Sequence, residues 1–187
     1  MTASKQRGAR NRDKIIAATN EILEETTYSS LTVEGIAARS GVGKATIYRW
    51  WKHKSELVFD AFIEKAETLY KLDPATSIYE NIVQQLVTLT DVLKSGVGRA
   101  ILSVIAEENE LGAAFLNEYL KPRRQETKII LQKGLESGEL KGDFNLDLVL
   151  DMLYGPIYFK FILFNEVPDK NYNKNLVKQV MKGICNS

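Results

Sequence analysis

Apolar residues recur along this chain at helical spacing from one end to the other, and no segment sustains the two-residue alternation of a half-buried strand. That pattern confines the fold to the all-α class. Ile15, Ala18, Thr19, Ile22 and Leu23 fall at i, i+3, i+4, i+7 and i+8 and form one apolar stripe on a first helix over residues 11–26. The polar, basic residues 1–10 before it read as disordered.

Thr32 stands where an N-cap belongs, ahead of a short second helix with Val33, Ile36 and Ala37 on one side. Gly41-Val42-Gly43 breaks that helix, and a third opens at Gly43 and runs to Trp51. Val42 and Ile47 are spaced to staple its entry. With about 100° between successive residues, Ile47 and Trp51 share the inward face, while Ala45, Thr46 and Arg49 point away and Lys44, Tyr48 and Trp50 flank them. A helix this short does not stand alone and must be held by its neighbours.

Further helices are expected at 54–72 (stopped by Asp73-Pro74), 77–94, 99–109 after an interruption at Gly96 and Gly98, and 112–137 with a kink or split at Pro122. A loop at Gly138, Gly142 and Asp143 follows, then helices at 145–165, kinked at Gly155-Pro156, and 169–184. The whole amounts to about nine helices. Along 77–94, Tyr79, Ile82, Val83, Leu86, Leu89, Thr90 and Leu93 face one way.

Of 187 residues one is histidine and one cysteine, which excludes much chemistry. A structural zinc site needs about four Cys or His ligands and a disulfide needs a second thiol, so either requires another chain. Nucleophile-histidine catalysis would rest on His53 alone, and a di-iron bundle needs Glu-x-x-His where this chain has Trp50 three residues before His53. His53 reads as a helix-start residue beside phosphates and Cys185 as a small apolar or tail residue, so neither an enzyme nor a cofactor is expected. The most apolar stretch, 146–164, is interrupted by Asp147, Asp151 and Lys160, and its longest uncharged run, 152–159, is far below the roughly 20 residues of a membrane helix. No signal peptide is visible, and a cytoplasmic location is expected.

The net charge of +1 conceals an asymmetry. Residues 1–54 hold ten Lys or Arg against five acids, and residues 55–187 fifteen against nineteen. A basic first part suits a polyanionic partner, although a merely solvated basic face has the same arithmetic. The layout of a helix, a short helix, a glycine turn and a second short helix is that of a helix-turn-helix reader of DNA. The first residues of its second helix, Lys44, Ala45 and Thr46, meet base edges: an ammonium donates to guanine, a methyl meets the thymine methyl, and a hydroxyl serves either. Arg49 reaches a base or a phosphate, and Tyr48 and Lys54 suit phosphate oxygens. Trp50 reads equally as an outward groove residue or a core aromatic, while Trp51 reads as core.

Leu31-Thr32-Val33-x-x-Ile36-Ala37, followed by Ser40-Gly41-Val42-Gly43-Lys44-Ala45-Thr46-Ile47-Tyr48-Arg49-Trp50-Trp51-x-x-Lys54-x-Glu56-Leu57, resembles the DNA-binding signature of the tetracycline-repressor (TetR) family over residues 12–62. Pro122-Arg123-Arg124, Gly138-Glu139-Leu140 and Gly155-Pro156-Ile157-Tyr158 resemble the ligand-binding part of one branch of that family. The resemblance implies a homodimer presenting two readers to an inverted repeat of double-stranded DNA, and a C-terminal helical domain that binds a small effector. By motif position it implies phosphate contacts at Thr32, Tyr48 and Lys54 and base or groove contacts at Lys44, Ala45, Thr46 and Arg49. Gly43 replaces the common polar N-cap, Trp51 stands where Phe is usual, and His53 where a capping Ser often lies. A glycine cap costs only a few tenths of a kcal/mol.

The expected division is therefore a DNA-binding domain at 1–54 and an effector-binding and dimerisation domain at 55–187. Helix 145–165 is apolar nearly all round, so it should meet the pocket with one face and a partner subunit with another, joined there by the last helix through Leu176, Val177, Val180 and Met181. A core helix of a monomer would look the same. Pocket candidates, taken as large side chains on inward faces, are Leu86, Phe115, Tyr119, Met152 and Phe159; each fits an ordinary core as well. Glu107, Glu108 and Glu110 read as a solvated face, or as a buried acid for a cationic effector if one turns inward. The chain thus reads as a ligand-responsive regulator, most simply a repressor, with a helical ligand-binding protein carrying a vestigial reader as the alternative.

Overall fold

The computed structural model describes residues 3–70, 76–140 and 144–184. Asp73-Pro74, Gly142 with Asp143, and Cys185 lie outside the described residues. No described helix is long and apolar enough to cross a membrane. The described regular structure is helical, and the fold divides into two compact units: Met1–Thr68 with Lys94–Phe115, and Leu69–Leu93 with Leu116–Ser187.

The first unit contains α1 (Ala3–Glu25), α2 (Val33–Ser40), α3 (Lys44–Trp50), α4 (Lys54–Leu69), α6 (Gly96–Glu107) and α7 (Asn109–Ala114). α1 begins about two turns earlier than its apolar stripe indicates. Residues 3–10 carry no stripe, yet Ala3, Lys5, Gln6, Arg7, Ala9 and Arg10 are good helix formers, and a helical extension without an apolar stripe leaves no periodic trace. Ile15, Ile16, Leu23, Leu31, Ile36, Ile47, Leu57, Phe62 and Ile101 are all fully buried and make the core.

Gly96 and Gly98, expected to interrupt the chain, lie inside the first turn of α6 instead. Ser95 caps that helix by accepting the Gly98 N–H at 3.2 Å. Gly96 is there for close approach: a Cβ at this position would lie 2.0 Å from the Leu23 carbonyl oxygen of α1.

The second unit contains α5 (Ile78–Lys94), a π-helical stretch (Phe115–Leu120) that crosses into it from the first unit, α8 (Lys121–Glu136), α9 (Leu146–Phe164) and α10 (Lys170–Ile184). The helix expected over 112–137 with a kink or split at Pro122 is thus a helical run from 109 to 136 whose α geometry gives way to π turns just before Pro122. Pro122 sits in the first turn of α8, where it offers no N–H to the helical turn before it. The wider π turns directly precede it. α9 passes Gly155 and Pro156 without a break, from an Asn145 cap that accepts the Asp147 and Leu148 N–H groups to a left-handed Asn165. Ile82, Leu86, Leu131, Leu150, Leu153, Ile157 and Val177 form this core, and buried Asn173 of α10 donates to the Leu86 carbonyl (3.2 Å) and the Thr90 hydroxyl (3.1 Å) of α5.

Candidate nucleic-acid interface and effector cavity

α3 is seated from below by buried Ile47 and Trp51, with buried Val42 at its entry. The Trp51 indole N–H donates to Asp60 Oδ2 at 2.9 Å, and Arg12 of α1 holds the same carboxylate oxygen at 3.1 Å and Glu64 at 3.1 Å. This packing turns Lys44, Ala45, Tyr48, Arg49 and Trp50 outward and leaves Thr46 half-buried. Trp50 is 46% exposed, against 4% for Trp51, and a Cβ at Gly8 of α1 would lie 3.9 Å from its ring, so the added first turns of α1 run beside it.

Thr32 caps α2 by accepting the Gly35 N–H at 3.1 Å, which leaves its own O–H free to donate outward. Lys44 is tied to Glu34 at 2.9 Å, and that hydrogen bond holds the Glu34 carboxyl below the usual carboxylate range and lifts the Lys44 ammonium above its ordinary value. Arg39 is engaged by Glu25 and Glu21. The Arg49 side chain has no hydrogen-bonding or ionic partner among the described residues.

Lys54, expected at a phosphate, has its ammonium turned into the protein. It donates to the Tyr28 and Leu31 carbonyls at 3.0 Å each, lies 3.5 Å from that of Ser29, and sits 4.5 Å from the centre of the Tyr28 ring. The turn ahead of Thr32 is thereby closed around one cation. His53 is exposed just before α4.

In the second unit, Tyr70, Gln85, Thr88, Leu89, Tyr119, Leu120, Arg123, Arg124, Tyr154 and Tyr158 line a narrow cavity with free space for little more than a water molecule. Gln85 is bound at both ends: its Nε2 donates to the Tyr70 hydroxyl at 2.9 Å, and its Oε1 lies 2.7 Å from the Thr127 hydroxyl and 3.1 Å from that of Tyr154. Arg123 stacks 3.7 Å over the Tyr70 ring and pairs with Glu126 at 3.0 Å. Arg124 is held by Asp151 at 2.8 Å and Asp147 at 3.4 Å, and Lys128 joins Asp147 at 2.7 Å, so the two acids of α9 lock it to α8. Burial pushes the phenols of Tyr70, Tyr154 and Tyr158 well up, and a hydrogen bond to Glu126 pushes Tyr70 further, so all three stay protonated.

Of the five residues expected in a pocket, the structure brings only Tyr119 to this cavity. Leu86 is fully buried core of the same unit; Phe115, in the first unit, packs on Phe62 with ring centres 5.6 Å apart. Met152 (48% exposed) and Phe159 (53%) lie on the outer face of α9. Leu148, Ile162, Leu163 and Phe164 are exposed on the same helix. Val177, Val180 and Met181 of α10 are buried within their own unit, so of the two helices expected at an interface α9 alone offers a broad apolar face. Glu107, Glu108 and Glu110 are exposed. Among the described residues no cluster of three or more His, Cys, Asp or Glu is arranged to hold a metal.

Choosing large apolar side chains passed over Tyr70, Gln85, Thr88 and Arg123. Signals for part of the cavity were present: Arg123 and Arg124 sit in the Pro122 segment, and Tyr154 and Tyr158 are one turn apart.

Residues 15–61 match a family profile described as bacterial regulatory proteins, tetR family, and residues 76–180 one described as tetracyclin repressor-like, C-terminal domain. The uncharacterized HTH-type transcriptional regulator YdeS of Bacillus subtilis (strain 168) is 30% identical over 173 residues, covering 91% of this chain and 87% of YdeS. Among solved structures, the TetR family transcription regulator SCO0332 superposes with a TM-score of 0.72 at 25% identity, over 94% of this chain and 99% of its own. The regulator FadR from Bacillus subtilis, in complex with stearoyl-CoA, shares the fold at a TM-score of 0.65 and 23% identity, over 91% of this chain and 97% of its own.

Proposed function

The chain belongs to the TetR family of DNA-binding transcriptional regulators, and from that premise we propose that it acts in the cytoplasm as a homodimeric repressor which releases an inverted-repeat operator when a small effector binds its second unit. The observation that carries the DNA half is the outward face of α3, where Lys44, Ala45, Tyr48 and Arg49 are exposed over an anchored Ile47 and Trp51. Lys44, Ala45, Thr46 and Arg49 face base edges, with Trp50 at the groove wall. Thr32 and Tyr48 donate to phosphates. Lys54 serves them by fixing the turn that carries Thr32. Residues 1–54 then form the reader, with α4 and α6 as its support.

The exposed face of α9, from Leu148 through Met152 and Phe159 to Phe164, is the dimer contact, and α10 backs it from within the subunit. The effector enters the Tyr119 cavity of the second unit; that a protein of this fold can hold a small molecule is supported by FadR, solved in complex with stearoyl-CoA. Effector and operator weaken each other's binding by the same factor.

The test is titration of a palindromic duplex, selected from bound genomic fragments, at several salt concentrations. Affinity should fall with a log–log slope of about −0.9 for each phosphate neutralised. A flat slope, or no preference over random duplex, overturns the reading and favours the vestigial reader.

A further inference from the structure

We propose that the effector is an uncharged, flat aromatic molecule carrying a hydroxyl or carbonyl group, and that the Tyr158 hydroxyl is what reads that group. The inference rests on the regulator reading above and narrows its ligand.

Shape comes first. The cavity is walled by the rings of Tyr70, Tyr119, Tyr154 and Tyr158, with Arg123 stacked on Tyr70, and it is narrow. A flat ring enters such a slot by parting two walls and gains ring-to-ring contact with both. A folded alkyl chain needs more room than this narrow cavity offers.

Charge comes next. Each ion at the cavity has a partner already: Arg123 has Glu126, and Arg124 has Asp151 and Asp147. An ionic effector would bring a charge into a desolvated site whose own charges are balanced, or would have to break one of these pairs. A neutral one disturbs neither.

Hydrogen bonding then singles out one atom. Gln85 is satisfied at both ends, and the Tyr70 and Tyr154 hydroxyls are bound to it. Tyr158 lines the same cavity, and its hydroxyl has no hydrogen-bond partner among the described residues and stays protonated, so it offers both a donor and an acceptor. A ligand that brings a hydroxyl or carbonyl there gains a hydrogen bond with it.

The experiment is calorimetric titration of the full-length protein with one ring system in four forms, namely 2-naphthol, naphthalene, 2-naphthoate and the 2-naphthyltrimethylammonium cation, beside palmitoyl-CoA. 2-Naphthol should bind roughly tenfold more tightly than any of the others. Tyr158→Phe, which deletes one oxygen that no protein group engages, should leave the melting temperature and naphthalene binding unchanged and abolish the roughly tenfold preference for 2-naphthol. Equal binding of the naphthoate or the cation overturns the inference, as does an equal loss for both neutral ligands in Tyr158→Phe. If palmitoyl-CoA alone binds and releases the operator, the regulator reading stands and this inference falls. If none of the five binds, the inference also falls, while the regulator reading is judged separately by the salt slope, which involves no ligand.

Discussion

The two units handle polarity in opposite ways. In the first, the core of α1 to α4 is apolar apart from Thr19 and Ser55, and the ionic groups lie near the surface in pairs, Arg12 with Asp60 and Glu64, Arg39 with Glu21 and Glu25, Lys44 with Glu34. In the second, hydrogen-bonding side chains go inside: Asn81, Gln85, Thr88, Thr90, Thr127 and Asn173 are all buried. A unit that reads a rigid duplex keeps its information outside on a scaffold that apolar packing fixes. The second unit, for which an effector site is proposed, keeps its polar groups inside, where each depends on a specific neighbour and a newcomer can change the pairing.

Five substitutions would break or sharpen that contrast. The largest effect belongs to Gly96→Ala. Helix propensity alone favours alanine by about 1 kcal/mol, but the new Cβ would collide with the Leu23 carbonyl, so a net loss of about 3 kcal/mol is expected in denaturant unfolding. A stabilised variant would mean that α6 and α1 are not in close contact.

Gln85→Leu comes next, with a loss of about 2 kcal/mol, because it removes the buried hydrogen bonds that Gln85 makes with the Tyr70, Thr127 and Tyr154 hydroxyls, while Thr127 and Tyr154 keep the bond between them. Arg12→Ala on the first unit's surface should cost less than half as much. Comparable losses would erase the distinction between the units.

Lys54→Met is expected to cost about 1 kcal/mol of stability through the opened turn. It should lower affinity for all duplexes alike, without changing the salt slope. A slope reduced by about 0.9 at unchanged stability would return Lys54 to a direct phosphate contact.

The smallest effect is the pH response of the α8–α9 lock. The hydrogen bond from Lys128, with Arg124 behind it, holds the exposed Asp147 carboxyl below its usual range. A depressed carboxyl gives stability above its unfolded value that is lost as pH falls through its folded one. A small part of the acid sensitivity should therefore disappear in Asp147→Asn, seen as a flatter melting-temperature profile on the acid side. An unchanged profile would remove Asp147 from the lock.

Much of the reader was legible because its determinants are local. The Thr32 cap, the Gly41-Val42-Gly43 turn and the inward pair Ile47 and Trp51 follow from cap chemistry and a single helical period, and the structure has them where expected. Long-range features were not. Gly96 looks like a break until the Leu23 carbonyl opposite it is known. α9 is apolar on nearly every side, so its sequence gives no direction in which Met152 or Phe159 must point. Lys54 looks like any surface cation until three carbonyls from residues 28–31 are found converging on it. The cavity was illegible for a related reason: its lining includes polar side chains such as Gln85, Thr88 and Arg123, which a search for apolar faces discards, and Tyr70 and Gln85 meet only through tertiary packing.

The π-helical stretch has a consequence in time. Its turns are wider than those of an α-helix and less favourably bonded, so the amide hydrogens of residues 116–120 should exchange with deuterated water sooner than those in the middle of α5 or α8. Tyr119 and Leu120 belong both to this stretch and to the cavity wall. A ligand resting against them should slow that exchange, and the rate at these few amides would then report occupancy of the cavity.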